Sequence, residues 1–141
     1  MNKKLPCSRS SIARMLAFAL CLFTGAVIAG ELELSGANEV PPVTTAASGT
    51  GTINVADDGS VSGSVKVTGL TGTMAHIHVG AAGKNGPVII PLTQSANGEW
   101  TVPAGAKLNA EQMKSYKAGE LYVNVHTDAN KGGEVRAQLV P

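Results

Sequence analysis

Three histidines are the residues of this sequence best equipped to do chemistry. His76 and His78 lie two apart in Met74-Ala75-His76-Ile77-His78-Val79, and His126 closes Leu121-Tyr122-Val123-Asn124-Val125-His126. Side chains at i and i+2 of a β-strand share a face. In the first segment Ala75, Ile77 and Val79 therefore form an apolar face, and Met74, His76 and His78 form the other. In the second, Leu121, Val123 and Val125 point inward while Tyr122, Asn124 and His126 point outward. If the two strands are neighbours, all three imidazoles meet at one point on the exterior of the sheet.

A His-x-His pair joined by a distant third histidine gives zinc or copper three imidazoles and an open position. Met74 on the same face adds a soft thioether, which tilts the choice toward copper, Cu(I) above all. Asn124 is placed to orient a ring nitrogen. Asp128 would add an oxygen ligand if its turn folded back, although beside Asn130 and Gly132-Gly133 it reads as turn chemistry. A strand histidine is often plain surface, and a methionine is often filler. Matching parity of the only three histidines on two strands favours a site. The expected metal ligands are His76, His78, His126 and Met74, with copper as the ion and zinc as the alternative.

Other chemistries find little support. Gly80-Ala81-Ala82-Gly83-Lys84-Asn85-Gly86 lacks the Gly-Lys-Ser/Thr of a phosphate loop, and no helix begins there. No serine sits in a Gly-x-Ser-x-Gly elbow, and no carboxylates can be paired from the sequence. The expectation is a protein that sequesters or delivers an ion and is not an enzyme. A redox enzyme with a three-histidine copper centre has only the open coordination position in its favour. The alternative is a non-enzymatic interaction module that meets a cell-envelope or extracellular protein partner. A homodimer sharing the site is a further expectation for so few ligands.

The elements that must carry the histidines are β-strands. Leu32 and Leu34 alternate with Glu31, Glu33 and Ser35, and Ile53 and Val55 alternate with Thr52 and Asn54. Asp57-Asp58-Gly59-Ser60 then turns the chain into Val61, Val65 and Val67, a hairpin signal. Residues 74–79, Val88–Leu92, Trp100–Val102, Leu121–His126 and Glu134–Val140 supply the rest, with a turn at Asn97-Gly98. One helix is expected over 110–118. Asn109 and Gln112 form its capping box, Leu108 and Met113 a hydrophobic staple, and Gly119 its stop. Trp100 and Tyr116 are core candidates. The predicted fold is all-β, an antiparallel immunoglobulin-like two-sheet sandwich with one short helix.

The 141 residues allow one ordinary domain, and 15% charged with 4% aromatic residues argues against a disordered tail or a coiled coil. The first 29 residues hold Lys3, Lys4, Arg9 and Arg14 and no acid, followed by the apolar run Met15–Ile28 and then Ala29. A positive start, a short apolar stretch and small residues before a cleavage point describe a secretory signal peptide over 1–29. This apolar run of 14 falls short of the roughly 20 residues that a membrane span needs. Domain 30–141 is then secreted or periplasmic, with no membrane segment in the mature form. It keeps seven basic against ten acidic residues, which offers no nucleic-acid footprint. Cys7 and Cys21 both fall in the leader, so mature thiolate, Fe–S and Cys-ligated copper chemistry are excluded.

Four ordered stretches carry a resemblance. Ser35-Gly36-Ala37-Asn38-Glu39-Val40-Pro41-Pro42, Ala75–Gly80 with Asn85-Gly86-Pro87-Val88, Tyr122–Thr127 and Gly133–Leu139 together resemble the CHRD (chordin) domain over about residues 36–139. The resemblance implies a secreted, immunoglobulin-like β domain. In animal chordin the domain sits in a protein that binds growth factors outside the cell, whereas the bacterial members are mostly single exported domains. This chain has one copy and none of the cysteine-rich flanking modules, so growth-factor binding is not carried over. The His-x-His strand is also similar to that of Cu/Zn superoxide dismutase, but the further bridging histidines and the disulfide are missing here.

Overall fold

Alternation of apolar and polar side chains dictates most of the architecture in the computed structural model, which describes residues 30–141. The expected leader at 1–29 lies outside the described residues. Nine strands run β1 Leu32–Ser35, β2 Ser48–Val55, β3 Val61–Thr68, β4 Met74–Val79, β5 Val88–Pro91, β6 Thr93–Ala96, β7 Glu99–Thr101, β8 Leu121–His126 and β9 Val135–Gln138. One helix, α1 Ala110–Lys117, and a 3-10 turn, Gly36–Asn38, complete the described elements. Among the described residues no helix is long and apolar enough to cross a membrane.

The β2–β3 hairpin forms where Asp-Gly predicts it. The Asp58 carboxylate accepts from the Ser60 N–H and from the Ser60 hydroxyl, each at 2.9 Å. Gly59 takes φ +87°, a conformation that glycine adopts without a Cβ penalty. The register then runs unbroken from Val55↔Val61 to Ser48↔Thr68. Helix α1 starts at the expected capping box. The Gln112 N–H donates to Asn109 Oδ1, and the Asn109 N–H donates to Gln112 Oε1, both at 2.9 Å. Its two turns cannot stand alone; Tyr116 and the preceding Leu108 anchor them to the core.

The expected pair of sheets is replaced by one. All nine strands form a continuous antiparallel ladder in the order β5-β4-β8-β9-β1-β2-β3-β7-β6. The halves join because β1 pairs on both edges, through four residue pairs with β2 and through Ser35↔Arg136 with β9. The sheet curls around a single core that draws Leu34, Val65, Ile77, Trp100, Val123 and Leu139 from both halves. Val125 of β8 and Trp100 of β7, far apart in the ladder, both close on Gly72. A Cβ there would lie 2.9 Å from Val125 Cγ1 and 3.0 Å from Trp100 Cζ2. Each fully buried aliphatic side chain contributes about 1.5–3 kcal/mol, so this enclosed row stabilises the described residues, which contain no cysteine.

The outward face of β8 is the second departure from expectation. Every residue of Leu121–His126 is buried, the polar ones included. Three loops cover that face: the segment after β1, the 80–87 loop and the 127–133 turn. Asn85 Nδ2 ties two of them together by donating to the Val40 carbonyl at 2.7 Å. A small polar core therefore lies outside the sheet, opposite the apolar one.

Candidate metal centre

Strands β4 and β8 are antiparallel neighbours, with Met74 opposite His126, His76 opposite Asn124 and His78 opposite Tyr122. This register brings the three histidines together. One ring nitrogen from each can be chosen so that all lie within 4.8 Å of one another. His76 and His126 are nearest, with Nδ1 of the first 3.0 Å from Nε2 of the second. Met74, across from His126, is 50% exposed. Asp128 stays exposed in its turn and does not join the group.

Backbone carbonyls fix two of the rings. His78 Nδ1 lies 2.9 Å from the Gly86 oxygen, and His126 Nδ1 lies 2.9 Å from the Lys131 oxygen. A carbonyl only accepts, so each Nδ1 carries the proton and each Nε2 presents a lone pair. This is how metal-ligating histidines are normally held. His126 Nε2 receives the His76 Nδ1–H in the metal-free protein. His78 Nε2 is buried and has no hydrogen-bond partner among the described residues, an arrangement that costs free energy unless something fills it. A borderline divalent ion fits this donor set.

The surrounding residues act through these carbonyls and rings. Tyr122 stacks flat on His78, with ring centroids 4.7 Å apart and planes 2° from parallel. The Arg136 guanidinium covers the Tyr122 ring at 3.4 Å from its centroid, a cation–π contact. Arg136 is only 1% exposed. It donates to the carbonyls of Ala81 and Lys84 at 3.1 and 2.9 Å, and to Asn85 Oδ1 and Gln138 Oε1, both at 3.3 Å. It thus pins the loop that delivers the Gly86 carbonyl to His78. Glu134 does the equivalent for His126. Its carboxylate accepts from the hydroxyls of Thr127 and Thr45, each at 2.7 Å, and from Asn130 Nδ2 at 3.2 Å, bracing the turn that carries Lys131. Those bonds hold the Glu134 carboxyl below its usual pKa, Thr127 contributing most. A crevice of about 430 Å³ opens beside Arg136 and Gln138, and no histidine lines it.

The sequence pattern singles out the three histidines and misses their supports. Tyr122 reads only as an outward strand residue, and Arg136 is given no role. A charged side chain between Val135 and Ala137, at the parity of the polar face, is the signal that was there to be found.

Burial lowers the pKa of both His76 and His78. For His76 the charges of His126 and His78 act in the same direction; for His78 the Gly86 carbonyl acts against it. The unfolded chain takes up these protons near pH 6.5, while the folded chain resists them. Their contribution to metal-free stability is therefore complete above about pH 6.5 and is lost as pH falls through that value toward the depressed folded pKa. Glu39 works oppositely: burial raises its pKa against the pull of Asn124 and Arg136, favouring the fold at low pH. Comparison with His78→Asn isolates the histidine effect. Urea midpoints at pH 7.5 and 5.5 should separate more in the unsubstituted protein than in the variant; equal separations would contradict the assignment.

These features define a small antiparallel β domain whose three histidines lie together, two of them held by loop carbonyls. The chain belongs to the CHRD domain family, whose sequence model matches residues 31–139. Such domains are of an extracellular type. Comparison with curated proteins and with solved structures yields no match.

Proposed function

We propose that this protein is an exported metal-binding domain that sequesters or delivers a transition-metal ion, copper first and zinc second, through His76, His78 and His126. The observation that carries this reading is the buried, unpartnered Nε2 of His78 beside the two other imidazoles. A histidine kept only for packing would have both nitrogens satisfied or would face water. His76, half-buried at the rim, gives the ion a route in and out. Met74, opposite His126 in the strand register, would add a thioether on the exposed side. The basic and then apolar leader supports export.

Titration of the purified protein with Zn(II) and Cu(II), and anaerobically with Cu(I), tests the reading. One equivalent should bind, with affinity falling as pH drops and protons compete for the imidazoles. Absence of stoichiometric binding by every one of these ions would overturn it.

A further inference from the structure

A second acceptor without a donor lies on the same buried face. Asn124 is 1% exposed, and its Oδ1, like His78 Nε2, has no hydrogen-bond partner among the described residues. The other end of the amide fixes its orientation. Nδ2 donates to the Gly132 carbonyl at 3.3 Å. It also approaches the Glu39 carboxyl through the space that Gly133 leaves open, where a Cβ would collide with both groups. Reversing the amide would set oxygen against the Gly132 oxygen, so Oδ1 is held away from that carbonyl.

Its position is central to the trio. Asn124 is directly opposite His76 across the ladder and two residues from His126 on its own strand. It also lies within reach of the His78 ring. With the His78 proton committed to Gly86, His78 Nε2 and Asn124 Oδ1 each present a lone pair on this buried face. Buried acceptors of this kind demand a donor or a cation.

The geometry points to Asn124 Oδ1 as a fourth donor, completing a set of three imidazole nitrogens and one amide oxygen that selects a divalent ion such as Zn(II) or Cu(II) over Cu(I). This inference rests on the three-histidine reading and deepens it. An amide oxygen is a hard donor, and Cu(I) favours soft sulfur. The oxygen thus opposes the preference that Met74 alone suggests.

The test uses the unsubstituted protein first, labelled with nitrogen-15 and loaded with Zn(II). Coordination through Oδ1 withdraws electron density from the amide, so the Asn124 side-chain NH₂ signals should shift further than those of every other Asn or Gln. Affinity alone does not separate a ligand from a positioning residue, since either costs about 10–100-fold when removed. Two variants add the distinction. Asn124→Ala should weaken Zn(II) binding by about 10–100-fold, alter the visible spectrum of the Co(II) form, and lower the ratio of Zn(II) to Cu(I) affinity. Asn124→Asp keeps an oxygen at the Oδ1 position but sets its second oxygen against the Gly132 carbonyl and the Glu39 carboxyl, so it should recover only part of the Zn(II) affinity lost in Asn124→Ala. One equivalent of bound Zn(II) with unmoved Asn124 amide signals and an unchanged Co(II) spectrum in Asn124→Ala would overturn this inference while leaving the three-histidine site standing. No binding by the unsubstituted protein would overturn both.

Discussion

Replacing His78 and His126 together by asparagine is expected to abolish high-affinity metal binding and to leave the fold intact. Asparagine is the informative choice because its side-chain NH₂ stands near the place of Nδ1–H. It can still donate to the Gly86 and Lys131 carbonyls that now hold the rings, while the Nε2 lone pairs are gone. Structural zinc sites bind with about 10–16 kcal/mol over four ligands, roughly 3 kcal/mol each, so two lost imidazoles should weaken binding on the order of 10⁴-fold. The Tyr122 stack on His78 is also lost, and that costs some stability, about 0.5–1.5 kcal/mol. Competition titration against a chelator of known affinity reads the first effect, and urea unfolding reads the second. Retention of affinity within tenfold in the double variant would remove these histidines from the site.

The second large effect is expected at Arg136. Its guanidinium serves two loop carbonyls, two side-chain oxygens and the face of Tyr122 at once. Arg136→Met keeps much of the side-chain volume and removes every one of those bonds. The Ala81 and Lys84 carbonyls lose this donor, and the buried Glu39 carboxyl loses the cation that favours its charged form. Removing one buried charge from such a network costs about 3–5 kcal/mol, against a total of about 5–15 kcal/mol for a domain of this size. The melting temperature should fall by roughly 10–20 °C. The 80–87 loop should also release the Gly86 carbonyl, so hydrogen exchange there should accelerate in the variant. A loss of under about 1 kcal/mol would mean that the polar core is held by something else.

The legible parts of the sequence are those written in short-range rules. Asp57-Asp58-Gly59-Ser60 dictates a turn because the Asp58 side chain bonds its own backbone two residues on, and it does so. Asn109 and Gln112 fix the start of α1 by reciprocal bonds that need only a spacing of three. Parity likewise assigns Ile77, Val123 and Val125 to the core and the three histidines to the opposite face. Parity carries no information about which strands are neighbours beyond the pair being considered. The single continuous ladder depends on β1 reaching β9 at Ser35↔Arg136, a long-range pairing that no local pattern announces. Strand β6, Thr93–Ala96, is exposed throughout and has no alternation to betray it.

The site was half legible for the same reason. Residue type and spacing identify the imidazoles, but a strand face is solvated only if no loop covers it. Here the 80–87 loop and the 127–133 turn cover it, and their backbone oxygens set both tautomers. Backbone carbonyls have no sequence signature, because every residue supplies one. Arg136 and Glu134 stand behind those loops and become meaningful only once the loops are folded.

The central claim is that one ion sits among the rings of His76, His78 and His126. Anomalous scattering at the metal absorption edge, from crystals grown with one equivalent of Zn(II) or Cu(II), tests it most directly. A single strong peak is expected within coordination distance of all three imidazoles, with His78 Nε2 among its ligands. A peak elsewhere on the domain, or none beside His78, would contradict it.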